Sequence, residues 1–226
     1  MRKIAVEATP GVIAPIRIAL LPGAYHEPED FCREGFADAV RARGLALDLE
    51  FVAPELAHVQ DRSVLDALHR CVVVPARAAG CRSVWLGGVS LGGFIALAYA
   101  ERRPEALDGL CLFAPYLGNR MVTSEVARAG GVRTWRPGAL APDDEERRIW
   151  ALIQRLGEHR FAVHLGLGRQ DRFGHGHALL ADALPACAVD RVDGGHDWPA
   201  WRQLWDRFLE RLAADPALRP GAPAVC

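Results

Sequence analysis

The chain has 226 residues, a formal net charge of −1 and a 50% share of hydrophobic residues, the balance of one large soluble globular domain with a sizeable core. Near-neutrality excludes a global field for nucleic acid or an anionic membrane, and although Lys3 is the lone lysine among 27 basic residues, the arginines are scattered and form no basic patch. No run approaches the ~18–20 apolar residues that span a bilayer, the N-terminus lacks a signal-peptide pattern, and the six cysteines (Cys32, Cys71, Cys81, Cys111, Cys187, Cys226) have no CxxC spacing, so reduced thiols and a cytoplasmic location are expected.

Strand-like and helix-length runs alternate along the chain. Residues 15–23 read as a strand stopped by Pro22-Gly23. Residues 28–44 follow with Phe31, Phe36, Ala39 and Val40 at helical spacing and Gly44 as the stop. Residues 45–54 alternate like a strand. Residues 61–80 read as a helix from an Asp61 or Ser63 cap, which Pro75 must kink or end. The strand at 83–88 leads into a helix at 91–104 that Pro104 ends, and 107–115 is the next strand. A 116–160 excursion then breaks the rhythm with short helical pieces and a Pro/Gly-rich middle, the pattern of a lid insertion. Residues 161–171, 177–185, 187–195 and 198–214 resume the alternation, and the tail at 217–226 is expected to be disordered. Such alternation predicts an α/β domain over residues 1–216 whose mostly parallel sheet, of about six to seven strands, carries helices on both faces.

The chemistry concentrates in Trp85–Pro104, where Ser90 stands among Gly87, Gly88, Gly92 and Gly93. Gly88-Val89-Ser90-Leu91-Gly92 matches G-x-S-x-G between a predicted strand and a predicted helix, the context in which that motif is a nucleophile elbow. A serine hydroxyl is a poor nucleophile until a base takes its proton. His196 fits that role, following a predicted strand and Gly194-Gly195 and leading into the last helix. A histidine base needs a carboxylate to hold its tautomer, and Asp171 ends an earlier strand. Asp193 and Asp197 are weaker candidates, because neighbours in sequence rarely reach a ring nitrogen. The order Ser90, Asp171, His196 is the order of the α/β-hydrolases.

From "GGVSLGG" and "GGHDW", and over about residues 15–213, the chain resembles a small bacterial serine esterase or thioesterase of the α/β-hydrolase superfamily. That resemblance implies an acyl-enzyme on Ser90, cleavage of a small or short-acyl ester or thioester, and no cofactor. It also implies an oxyanion hole built from the Gly23 or Ala24 N–H and the Leu91 N–H. Here the first loop reads Pro-Gly-Ala-Tyr where many relatives have His-Gly. An acyltransferase or an amide or peptide hydrolase would use the same three residues, and a non-catalytic binding protein is the remaining class. Asp at position 90 would be expected of a dehalogenase or epoxide hydrolase; the residue is Ser.

Other side chains are readable in two ways. His175 and His177 share spacing that could hold a metal, but a third ligand and an open position would be needed; with Gly174 and Gly176 around them they read as a polar loop at the pocket mouth, and no metal is expected. Trp135 and Trp150 line an acyl pocket or hold the insertion down. Tyr25 and His26 approach substrate or simply belong to a surface loop. Trp198, Trp201 and Trp205 mark one helical face packed on the sheet. The expected partner is a small ester or thioester, without nucleic acid or a membrane span, and an apolar lid leaves room for a homodimer.

Overall fold

The computed structural model describes residues 1–7, 14–60 and 63–214. The Asp61 alternative for a helix cap, Cys226 and the tail at 217–226 lie outside the described residues. In chain order the elements are β1 (Arg2–Glu7), β2 (Ile16–Leu21), α1 (Pro28–Arg33), α2 (Phe36–Ala42), β3 (Leu47–Ala53), α3 (Leu56–Gln60) and α4 (Val64–Leu68). A π-helical turn (His69–Val73), α5 (Val74–Ala78), β4 (Ser83–Val89), α6 (Leu91–Arg102) and β5 (Gly109–Phe113) follow. Then come α7 (Arg120–Arg128), α8 (Glu145–Gln154), β6 (Ala162–Gly168), α9 (Gly174–Ala181), β7 (Val189–Val192) and α10 (Trp198–Ala213).

Among the described residues the strands form one seven-stranded sheet in the order β1-β3-β2-β4-β5-β6-β7. Only β1 runs antiparallel, against β3; the remaining pairs are parallel. Near-continuous apolar runs are what a parallel sheet covered on both sides requires. Successive residues go to opposite faces: Ala19 and Leu21, with Leu110 and Leu112, join one core, whereas Ile18 and Leu20, with Cys111 and Phe113, join the other. Leu97 and Tyr99 of α6, with Ile149 and Trp150 of α8, pack into the first core. Phe31 of α1, Phe36 and Val40 of α2, and Trp201, Trp205 and Phe208 of α10 fill the second. Trp205 lies 5.2 Å from Phe36 in a stacked pair, and its Nε1–H donates to the Phe36 carbonyl, so α10 is latched to α2 across 169 residues of chain.

Two helical readings need correction. The predicted 28–44 helix is two helices, because Gly35 takes φ 74° and breaks the turn between α1 and α2. Pro75 does not end the 61–80 helix. The chain opens into the π-helical turn ahead of it and continues as α5. A proline lacks the N–H that would reach back four residues, to the Cys71 carbonyl; Lys3 Nζ donates to that oxygen instead, at 3.3 Å. Ser63 stands at the N-cap of α4 without a side-chain capping bond. Among the described residues no helix is long and apolar enough to cross a membrane.

Candidate active site

Four strand ends converge at the carboxyl edge of the sheet, the side where open α/β sheets build their sites. β4 hands over directly to Ser90, β2 runs out into Pro22-Gly23, and the chain beyond β6 and β7 carries Asp171 and His196. The glycines around Ser90 are there for space. A Cβ on Gly88 would stand 2.2 Å from the Leu21 carbonyl oxygen, and one on Gly92 only 2.0 Å from the same atom. α6 is thereby pulled against the end of β2, and Gly23 is brought beside the Ser90 side chain, within 3.3 Å for a Cβ at that position.

Ser90 itself is strained, with φ 51° and ψ −114°, a conformation that costs of order 1–3 kcal/mol for a side-chain-bearing residue. Three backbone hydrogen bonds hold it there. Its N–H donates to the Phe113 carbonyl (3.1 Å), and its carbonyl accepts from Phe94 (3.2 Å) and Tyr116 (2.9 Å).

His196 Nε2 lies 2.8 Å from Ser90 Oγ, and His196 Nδ1 lies 2.8 Å from Asp171 Oδ2. An ionised carboxylate only accepts, so the proton sits on Nδ1 and Nε2 is free to accept from the serine hydroxyl. Asp171 Oδ1 is held by the Phe173 N–H at 2.8 Å. Burial pushes the Asp171 carboxyl up, but the His196 hydrogen bond, the Phe173 N–H and the charges of His177 and His196 outweigh it and hold the group below the ordinary carboxylate range. The aspartate side chain is fully shielded from solvent.

Aromatic rings fix the histidine. Phe173 meets the His196 ring edge-on at 4.8 Å and Trp201 does so at 5.2 Å from α10. α10 starts immediately after His196 because Asp197 caps it, accepting from the Ala200 N–H at 3.2 Å. Trp201 also packs on His26 at 5.7 Å, beside the Gly23 loop. Partial burial, with the nearby His196, pushes the His26 pKa down, so a second positive charge is disfavoured next to the triad.

No family model matches the sequence, and no curated protein sequence matches it. Solved structures do. FphF, a fluorophosphonate-binding serine hydrolase of Staphylococcus aureus, superposes with a TM-score of 0.60 at 13% identity, covering 95% of this chain and 99% of that one. FrmB, an S-formylglutathione hydrolase of the same organism, gives 0.60 at 13% identity over 89% and 83%. MGS-MChE2, an alpha/beta hydrolase from the metagenome of lagoon sediments at Mar Chica, Morocco, gives 0.59 at 18% identity over 94% of each chain. This chain has the α/β-hydrolase fold.

Within that α/β-hydrolase fold the remaining candidate residues divide. Leu91 supplies the first N–H of α6, one of those a helix leaves without an internal acceptor, and Gly23 and Ala24 follow β2 across from it. Tyr25, at φ 65°, stands wholly in solvent. Trp135 and Trp150 are not pocket residues. Trp135 is buried with its Nε1–H on Glu125 and Trp150 with its Nε1–H on the Leu117 carbonyl, bonds that lie within the 116–160 segment, while both rings pack into the first core of the body. His175 and His177 lie on α9 and not in a loop. His175 is exposed, whereas His177 is buried with its Nε2–H donating to the Pro115 carbonyl at 3.0 Å.

A cavity of about 700 Å³ adjoins the triad, lined by Tyr116, Asn119, Arg120, Arg172, Phe173 and His175 among others. Sequence reasoning singled out only the histidines of this set. The signal for Phe173 was its place two residues after Asp171; the signal for Tyr116 was its place just past β5, level with the serine turn. A second groove, of about 680 Å³, carries Leu91, Phe94, Ile95, Ala98, Val64 and Leu65, with Arg102, Asp143 and Glu145 also on its lining.

Proposed function

We propose that this protein is a serine hydrolase cleaving a carboxylic ester or thioester of a small or short-acyl substrate through an acyl-enzyme on Ser90. The observation that carries the reading is the unbroken relay Ser90–His196–Asp171, at 2.8 Å for each link, on a serine held in strained backbone. In the first step Ser90 Oγ attacks the substrate carbonyl carbon while His196 Nε2 takes the hydroxyl proton. Asp171 stays ionised and stabilises the imidazolium. Negative charge gathers on the former carbonyl oxygen, where the Leu91 N–H and the Gly23 or Ala24 N–H are proposed to donate, reinforced by the positive end of α6. The C–O or C–S bond to the leaving group then breaks and His196 returns the proton to it. Water, deprotonated by the same nitrogen, attacks the acyl carbon, and collapse of that second intermediate restores Ser90 and frees the acid.

The structural neighbours support the class, since they include a fluorophosphonate-binding serine hydrolase, an S-formylglutathione hydrolase and a ferulic acid esterase. The residues lining the Leu91–Ala98 groove are apolar along the first turns of α6, which suits a short acyl chain. Intact mass after treatment with a neutral fluorophosphonate tests the reading. One adduct is expected on the wild type, none on Ser90→Ala, and a rate at least about 10³-fold lower on His196→Ala. A folded wild type that takes no adduct would sink it.

A further inference from the structure

The 700 Å³ cavity beside the triad carries charge that the chain leaves unspent. Neither Ser90 nor His196 lines it, but two of its walls touch them: Phe173 packs on the His196 ring at 4.8 Å, and Tyr116 donates its N–H to the Ser90 carbonyl at 2.9 Å. On its lining stand Arg120, the first residue of α7, and Arg172, with His175 beside them. Both guanidinium side chains belong to exposed residues. Of the arginines nearby on α8, Arg147 pairs with Glu125 and Asp144 and Arg148 with Glu101, whereas others of this chain, such as Arg128 and Arg191, form no ion pair among the described residues. Among the described residues Arg120 and Arg172 pair with none, and Arg172 rests over the Phe173 ring at 5.0 Å.

The carboxylate closest in sequence logic, Glu146, is already committed. It accepts from Tyr116 Oη (3.1 Å), the Asn119 N–H (3.1 Å) and Asn119 Nδ2 (2.7 Å), and it does not line the cavity. Asn119 in turn caps α7, so the first turn of that helix is fixed with Arg120 at the rim. Two guanidinium groups on one cavity lining, that of Arg172 resting over the Phe173 ring, offer charged donors to an anionic oxygen group. An anionic group reaching this lining would be attracted by both charges, whereas a neutral one would gain nothing from them.

We propose that this cavity binds the substrate through a carboxylate or phosphate group held by Arg120 and Arg172, several bonds from the scissile carbonyl, with Tyr116 and Phe173 packing on the connecting carbons. The inference rests on the reading of Ser90 as nucleophile and adds the substrate's charge to it. The groove along α6, apolar at Leu91, Phe94, Ile95 and Ala98, then receives the uncharged half.

The test compares matched neutral and anionic esters: p-nitrophenyl valerate against p-nitrophenyl hemiglutarate for charge on the acyl half, and 4-tolyl acetate against 4-acetoxybenzoate and 4-acetoxyphenyl phosphate for charge on the leaving half. A preference in kcat/KM for an anionic member of either set is expected. Arg120→Gln and Arg172→Gln should each lower the anionic-to-neutral ratio about tenfold, the double variant should erase it, and Arg120→Lys should restore part of it. Carboxylate against phosphate tells which group fits. An absent preference, or Gln variants that leave the ratio unchanged, overturns the proposal while fluorophosphonate labelling of the wild type still stands. If instead the wild type takes no label, the nucleophile reading fails, and calorimetric binding of 4-hydroxybenzoate and 4-hydroxyphenyl phosphate decides the cavity alone. Salt-sensitive binding lost in the double variant supports it, and no binding overturns it.

Discussion

Asp171 is buried, yet its carboxyl is held below the ordinary carboxylate range by the His196 and Phe173 hydrogen bonds and the neighbouring histidines, which together exceed the opposing effect of burial. A depressed carboxyl contributes stability that is present above the unfolded-chain value and is lost as pH falls through the lower folded one. The same ionised group is what keeps the proton on His196 Nδ1. Asp171→Asn is therefore expected to lower kcat/KM by about 10³–10⁴ and to remove part of the acid dependence of stability, both measurable on one purified variant. Ser90, His196 and Asp171 were nameable in the sequence because each follows a strand with glycines or a turn that announces a corner. Phe173, Tyr116, Arg120 and Arg172 were not. What makes them line one cavity is the way α7, α9 and the Pro115–Asn119 segment meet, and no local spacing encodes that meeting.

Elements matter here chiefly where backbone meets backbone. α6 crosses the end of β2 so closely that the Leu21 carbonyl oxygen lies 2.0 Å from where a Gly92 Cβ would be. Gly92→Ala has no flexible side chain to push aside, so it must displace α6 from β2. Overpacking of a well-packed interior costs ~1–3 kcal/mol, and because the Cβ would meet only the Leu21–Pro22 main chain, this case falls at or above ~3 kcal/mol, to be read from the urea midpoint at unchanged m. The strand–turn–helix reading of 83–104 was legible because the glycines, the apolar run and Pro104 all agree. The 28–44 reading took Gly44 as the stop and passed over Gly35, and the 61–80 reading allowed Pro75 a kink or an end but not a wider turn ahead of it. Gly35 interrupts a helix mid-run by taking φ 74°, and Pro75 is absorbed by a wider turn because Lys3, from the opposite end of the fold, satisfies the freed Cys71 carbonyl. A partner 68 residues away is invisible to periodicity. Trp135 and Trp150 were readable in two ways, since an aromatic in an insertion looks the same whether it faces a ligand or anchors the segment, and their burial fits the second.

Over the whole molecule the sheet divides two cores, and the second contains a buried titratable group unrelated to the site. His164, on β6, packs against Phe208 at 4.9 Å and Phe113 at 6.1 Å. Burial pushes its pKa down to about 4, against a raising influence from Asp190 and a further lowering one from Arg211. The unfolded chain takes up this proton near pH 6.5 and the folded protein only near pH 4, so stability should fall as pH drops between those values and level off below. His164→Phe is expected to flatten that stretch of the stability profile, measured by thermal unfolding between pH 7 and 4, while leaving the triad geometry in place. The alternating pattern made the seven-stranded, largely parallel sheet readable in advance; which polar residues end up between its layers was not, because His164 sits in an ordinary-looking strand.

Ser90 and His196 lie 106 residues apart and touch only because β4 and β7 end on the same edge of a sheet whose order interleaves the chain. Neither the N-terminal nor the C-terminal half holds the pair. A nascent chain would thus hold Ser90 without its histidine until β7 and α10 had been made and docked, and, on the reading of Ser90 as nucleophile, a covalent label would count only molecules whose sheet has closed. Counting adducts against total protein during refolding would time the closing of the sheet itself, with chemistry as the stopwatch.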